Sequence, residues 1–194
     1  MITLTKMKID CPVCDGKQTA ESETKTSNIP HFGDIFESTL ICSACGYKHN
    51  DVICLEQKSP VKYTVAINKD SLGSRVVKSQ SATVTIPELG LKVEPGLKSL
   101  GYVSNVEGVI TRFEDGVKQA LIIFDDEESQ KNGKVILEQI NALVKRGIEA
   151  TLIIEDPFGH SNIMDINAKK ELLSEEELKH LKTGFTIIEE DSLE

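Results

Sequence analysis

Apolar and polar residues alternate along Met1-Ile2-Thr3-Leu4-Thr5-Lys6-Met7-Lys8, through the Thr-rich residues 18–26, and through residues 34–41. A period of two marks extended chain. Between the last two runs, Asn28-Ile29-Pro30-His31-Phe32-Gly33 supplies turn residues, so the pattern predicts an antiparallel excursion that leaves and returns. Asp51-Val52-Ile53-Cys54-Leu55 is a further apolar, strand-like run. After Gln57-Lys58-Ser59-Pro60 the alternation resumes in residues 61–67 and 82–86, and Pro87 and Pro95 punctuate the extended stretch that follows. The period then changes. Val106, Val109, Ile110, Phe113, Val117, Ala120, Leu121 and Phe124 fall at helical spacing, and Val135, Ile136, Ile140, Leu143 and Val144 repeat it, with Gly147 placed to stop the second helix. Asp125-Asp126-Glu127-Glu128 and Asn132-Gly133 are expected between the two, making a helical hairpin. Residues 150–154 are again extended and break at Asp156-Pro157-Phe158-Gly159-His160-Ser161, read as a Pro-Gly turn capped by Asp and Ser side chains. Ser174, with Glu177 three residues on, forms a capping box for a helix that Gly184 should end, and residues 185–188 resemble a last strand.

Composition narrows the function classes. The 194 residues carry 22 basic and 31 acidic side chains, a net charge of -9, which argues against non-specific binding to nucleic acid or anionic membrane. No apolar stretch is long enough for a membrane span, and the N-terminus lacks an apolar signal core, so the protein is read as cytoplasmic.

Chemistry concentrates in the cysteines. Cys11-Pro12-Val13-Cys14 and Cys42-Ser43-Ala44-Cys45 are separated by 27 residues. In a reducing compartment such pairs are metal or redox sites, not disulfides. Two thiolates at this spacing face one ion, and two pairs close a tetrahedron, so Cys11, Cys14, Cys42 and Cys45 are the candidate ligands of one Zn2+ per chain. Gly16 and Gly46 are expected to take the positive φ that aims N–H groups at the sulfurs. A thioredoxin-type pair would open a helix in a βαβ unit, which does not follow here. Rubredoxin-like iron knuckles share the Cys-Gly ending, but they sit in aromatic-rich shells, and residues 1–58 offer only Phe32, Phe36 and Tyr47. Cys54 reads as a buried small hydrophobe, and His49 is superfluous beside four thiolates. Ile29 and Phe32 at the excursion's tip suit a partner contact or packing onto the second domain equally well.

Several motifs together resemble the ZPR-type zinc-finger family: the two knuckles, Cys45-Gly46-Tyr47-Lys48-His49-Asn50, Ile86-Pro87-Glu88-Leu89, Glu94-Pro95-Gly96, Val106-Glu107-Gly108 and the Asp156–Ser161 loop. The resemblance implies a mainly β fold with α insertions. Residues 1–58 would be a four-cysteine zinc ribbon, and residues 59–194 a double-stranded β-helix domain with an inserted helical hairpin at about 105–147. It also implies binding to translation elongation factor one-alpha as a folding chaperone of that GTPase. Eukaryotic members carry two finger-plus-β modules and usually Asn where His160 stands. This chain has one module, as expected of an archaeal-type member.

The leading expectation is therefore a zinc-dependent protein-binding module without catalysis. The alternative is a zinc-ribbon nucleic-acid-binding protein in transcription or translation, opposed by the charge of residues 1–60, with 6 basic and 8 acidic side chains. A metal-dependent oxygenase would need two histidines and a carboxylate. Of the four histidines, only His160 and His180 fall after residue 58, with His180 on an exposed-looking C-terminal helix, and a triad within the Asp156–Ser161 loop is too local to assemble.

Overall fold

The computed structural model describes residues 3–29, 33–56, 58–146 and 149–184, and the chain divides into two compact units, Met1–Gln57 and Lys58–Glu194. The first unit is an antiparallel meander of four strands, β1 (Thr3–Ile9), β2 (Ala20–Ile29), β3 (Gly33–Cys42) and β4 (Lys48–Cys54). The expected excursion is the β2–β3 hairpin, paired from Ala20↔Cys42 to Ile29↔Gly33. Its tip residues Pro30, His31 and Phe32 lie outside the described residues. At the other end the rows Ile9↔Ala20 and Ala20↔Cys42 bring both cysteine knuckles to the same sheet edge. Among the described residues the buried cluster there is Cys11, Ala20 and Cys42, with Ile9, Leu40 and Tyr47 packed partly against it. So few apolar groups bury too little surface to offset chain entropy.

The second unit has a conventional core. A five-stranded antiparallel sheet runs in the order β12 (Lys169–Leu172), β5 (Val61–Ile67), β10 (Ala150–Asp156), β7 (Thr83–Ile86), β8 (Leu91–Val93). A three-stranded sheet runs β11 (Asn162–Met164), β6 (Arg75–Lys78), β9 (Tyr102–Asn105). Alternation along β5 buries Val61, Tyr63, Val65 and Ile67, and along β10 Ala150, Leu152, Ile154 and Asp156. Val76 of β6 and Ile163 of β11 belong to the same core, so the two sheets share it. The helices α1 (Val106–Ile123) and α2 (Glu127–Arg146) are inserted between β9 and β10, and close it with Val106, Val109, Ile110, Phe113, Ile140 and Leu143. No helix among the described residues is long and apolar enough to cross a membrane.

Two helix boundaries differ from the sequence reading. Asn132-Gly133 does not lie between the helices but inside α2, which starts at Glu127. Asp126 accepts from the Ser129 N–H at 2.8 Å, and Gln130 donates to the carbonyls of Leu121 and Phe124, so the turn is closed well before Asn132. Gly133 is there for space: a Cβ would stand 2.5 Å from Leu121 of α1. The capping box of Ser174 and Glu177 does open α3 (Glu175–Lys179), but the helix stops at Lys179 with His180 as its cap, before Gly184. Gly147 and residues 185–188, assigned a stop and a strand from sequence, lie outside the described residues.

The Asp156–Ser161 loop is a buried anchor. Asp156, fully buried, accepts from the Phe158 and Ser161 N–H groups and from the Ser81 hydroxyl at 2.7–3.0 Å. Burial alone would push its carboxyl up, but these bonds outweigh it and hold the group below the usual carboxylate range. Ser161 in turn accepts from the Ser79 N–H at 3.0 Å. Asp156→Asn turns an acceptor into a donor facing donors, and should cost about 2–4 kcal/mol in urea unfolding of the second unit. Because the folded pKa is depressed, that advantage of Asp is full above the unfolded carboxylate pKa of about 4. It fades as pH falls through the lower folded value, so the two proteins should converge in stability in acid.

Candidate metal centre

Each knuckle is a turn of the same build. The Asp15 N–H donates to the Cys11 carbonyl and the Cys11 N–H to the Gly16 carbonyl, both at 3.0 Å. In the second knuckle the Gly46 N–H donates to the Cys42 carbonyl at 3.1 Å and the Cys42 N–H to the Tyr47 carbonyl at 2.8 Å. The residue after the second cysteine takes the left-handed conformation in both, Gly46 at φ 74° and Asp15 at φ 54°. The expectation for Gly16 is thus corrected: Asp15 bears the positive φ, a conformation Asp tolerates better than most. Gly16 is needed for room, since a Cβ would meet the Thr19 hydroxyl at 2.5 Å and the Cys14 sulfur at 3.3 Å.

The Sγ atoms of Cys11, Cys14, Cys42 and Cys45 all lie within 4.8 Å of one another. Cys11–Cys45 and Cys14–Cys42 are each 3.8 Å apart, so the short contacts run between knuckles. A disulfide needs about 2.05 Å. Four sulfurs around zinc, with Zn–S about 2.3 Å, place neighbouring sulfurs roughly 3.8 Å apart. Donor set and spacing therefore both suit a zinc ion. Cys11 and Cys42 are buried while Cys14 and Cys45 are exposed, so the cluster lies at the surface of its unit.

Neighbouring donors tune the sulfurs. The Thr19 hydroxyl lies 3.4 Å from Cys42 Sγ, and the Val13 N–H donates to Cys11 Sγ at 3.4 Å. Hydrogen bonds from Thr19 first, then from the backbone at Cys45 and Ala44, pull the Cys42 thiol down to about 6. The backbone bond from Tyr47 favours the Cys45 thiolate, but burial and the three other sulfurs outweigh it and push Cys45 up to about 12. Four crowded thiols cannot all ionise without a cation among them.

The residues that sequence reasoning missed are the braces. The Thr19 carbonyl accepts both the Ser43 N–H and hydroxyl at 2.9 and 3.0 Å, tying one knuckle to the other. Asp10 accepts from the Gln18 N–H and from Lys17, fixing the return of the first knuckle, and these bonds, led by Lys17, lower its pKa. No spacing rule marks such residues. His49 lies apart from the cluster and stacks on Tyr47, with centroids 6.4 Å apart. The Cys54 side chain lies outside the described residues, although its backbone ends β4.

A four-thiol ribbon followed in sequence by a two-sheet β unit with a helical insertion defines a class of zinc-finger protein. The family models for the ZPR1 zinc-finger domain and the ZPR1 jelly-roll domain match residues 4–58 and 70–187, and the chain belongs to that family. A ZPR1-like protein of Methanocaldococcus jannaschii is 43% identical over 184 residues, covering 94% of this chain and 92% of its own. One from Pyrococcus horikoshii is 38% identical, covering 95% and 85%. The zinc finger chaperone zpr1 of Schizosaccharomyces pombe is 27% identical over 165 residues, which are 81% of this chain but 35% of that protein.

Thr19→Val removes the hydroxyl at Cys42 while keeping side-chain volume. It should weaken zinc binding about 10–100-fold, as loss of an outer hydrogen bond does, read by competition with a chromophoric chelator.

Proposed function

We propose that Cys11, Cys14, Cys42 and Cys45 hold one structural Zn2+, which makes residues 1–58 a folded ribbon that precedes the jelly-roll domain of residues 59–194. The chain acts in the cytoplasm as a protein-binding module that assists maturation of translation elongation factor one-alpha. The observation that carries this reading is a closed four-sulfur centre in a member of a family with a relative named a chaperone. Four thiolates fill a tetrahedral zinc, so the ion orders the chain and leaves no position for a substrate.

Charge supports a protein partner over nucleic acid. Three lysines of the ribbon are engaged by carboxylates: Lys6 with Glu23, Lys17 with Asp10 and Lys25 with Glu37. Such exposed pairs add little stability, but they set a carboxylate beside three of the six lysines of residues 1–60 and so weaken the field a phosphate backbone needs. A net charge of -9 complements basic patches on a protein.

Two measurements test the reading. Elemental analysis of the purified chain should give one zinc per molecule and no iron, and Cys42→Ser should lose the metal together with the β signal of the ribbon. A pull-down from the native organism should recover elongation factor one-alpha with the intact chain and lose it with Cys42→Ser. Recovery of RNA instead, surviving physiological salt, would replace the protein-binding reading with the nucleic-acid one.

A further inference from the structure

The second unit contains a cleft that the zinc-ribbon reading does not use. It has a volume of about 470 Å³, and its walls come from the end of β6, from β7 and β8, from the loop before β9 and the start of β9, and from one face of α1. Its apolar part is formed by Val84, Val93, Val109, Phe113 and the largely exposed Leu100. The polar part is cationic. Lys78, Lys98 and Arg112 all line it, in a chain whose net charge is -9.

Two of these cations are held in place. The Arg112 guanidinium lies 4.1 Å from the centroid of the Tyr102 ring, a stacked position that leaves its N–H edge able to grip a carboxylate in two-point fashion. Lys78 is 4% exposed, and its ammonium donates to the Ser79 carbonyl at 2.9 Å and the Ser99 hydroxyl at 3.2 Å. Among the described residues no carboxylate lies within ion-pair distance of Lys78, Lys98 or Arg112. Asp156 favours the charged Lys78 through space, but its own oxygens are committed to Ser81, Phe158 and Ser161. Burial therefore wins and lowers Lys78 to about 8, with Arg112 adding to the effect. A buried ammonium lacking a direct counter-charge is costly, and an anion in the cleft would supply one.

We propose that this cleft is a binding site for a small amphipathic carboxylate, its apolar body against Val93 and Leu100 over the floor formed by Val84, Val109 and Phe113, and its carboxylate between Arg112 and Lys78. An apolar wall with a few convergent polar groups is the usual build of a small-molecule site, and the volume falls in the common range. Free phosphate would satisfy the cations and leave the apolar wall wet. A neutral chain of the same length would cover the wall and leave Lys78 without its counter-charge.

Octanoate is the probe, titrated into the zinc-loaded full-length protein by calorimetry and by amide NMR. Saturable binding is expected, with shifts centred on Ser99, Gly101 and Val109. Octanamide should bind at least about tenfold more weakly, and Arg112→Gln and Lys78→Met should each weaken octanoate by about tenfold or more. Arg112 is exposed and its variant tests the site without touching the core. Shifts located elsewhere, equal affinity for octanamide, unchanged affinity in Arg112→Gln, or displacement of octanoate by equimolar inorganic phosphate would each overturn the proposal. Loss of zinc-dependent partner capture would leave it standing, since none of these residues belongs to the ribbon.

Discussion

Everything in the first unit depends on four sulfur atoms meeting at one sheet edge. Strand pairing places the two knuckles side by side, but a pocket built on Cys11, Ala20 and Cys42 cannot by itself hold a four-stranded meander together. Crowding raises the cost of ionising the sulfurs, and a divalent cation removes that cost. Binding of structural zinc is on the order of 10–16 kcal/mol in small fingers, comparable with the whole stability of an ordinary domain. A zinc ion there would stand in for a hydrophobic core and let the strands spend their side chains on the surface, as the many Thr, Glu and Lys residues of β1 and β2 do.

The second unit solves the same problem by burial. Two antiparallel sheets and a helix pair share a core of Val, Ile and Leu, and one of the polar groups buried in this unit, Asp156, is satisfied by three donors. The outer half of the helical insertion departs from this rule. Ile122, Ile123 and Phe124 are 83%, 72% and 55% exposed, so the apolar stripe of α1 runs past the core it serves. Periodicity alone does not distinguish the inner Val109 and Phe113, which are buried, from this outer end.

Much of this architecture was legible in the residues. The cysteine spacing pointed to a four-thiolate cluster, the 27-residue gap to the β2–β3 hairpin, and the change of period to both long helices. Strands of three or four residues such as β6, β8, β9 and β11 were not, because a period of two needs more repeats to stand out, and their pairing is set by distant partners. The inner glycine of α2 was misread as a turn because Asn-Gly is a turn signal, whereas close approach of Leu121 is what excludes a side chain there. In the four-cysteine cluster the sulfurs were legible and their braces were not: the Thr19 and Ser43 hydroxyls reach their partners across the knuckles only after the hairpin has formed. The cationic cleft was likewise hidden, since Lys78, Lys98 and Arg112 are far apart in sequence and meet only through the β6–β9 pairing and α1.

Zinc K-edge X-ray absorption on the purified protein addresses the central claim most directly. Four sulfur scatterers at about 2.3 Å and no nitrogen or oxygen ligand are the result this account predicts. A mixed shell that includes oxygen or imidazole nitrogen, or an iron edge in place of zinc, would contradict it.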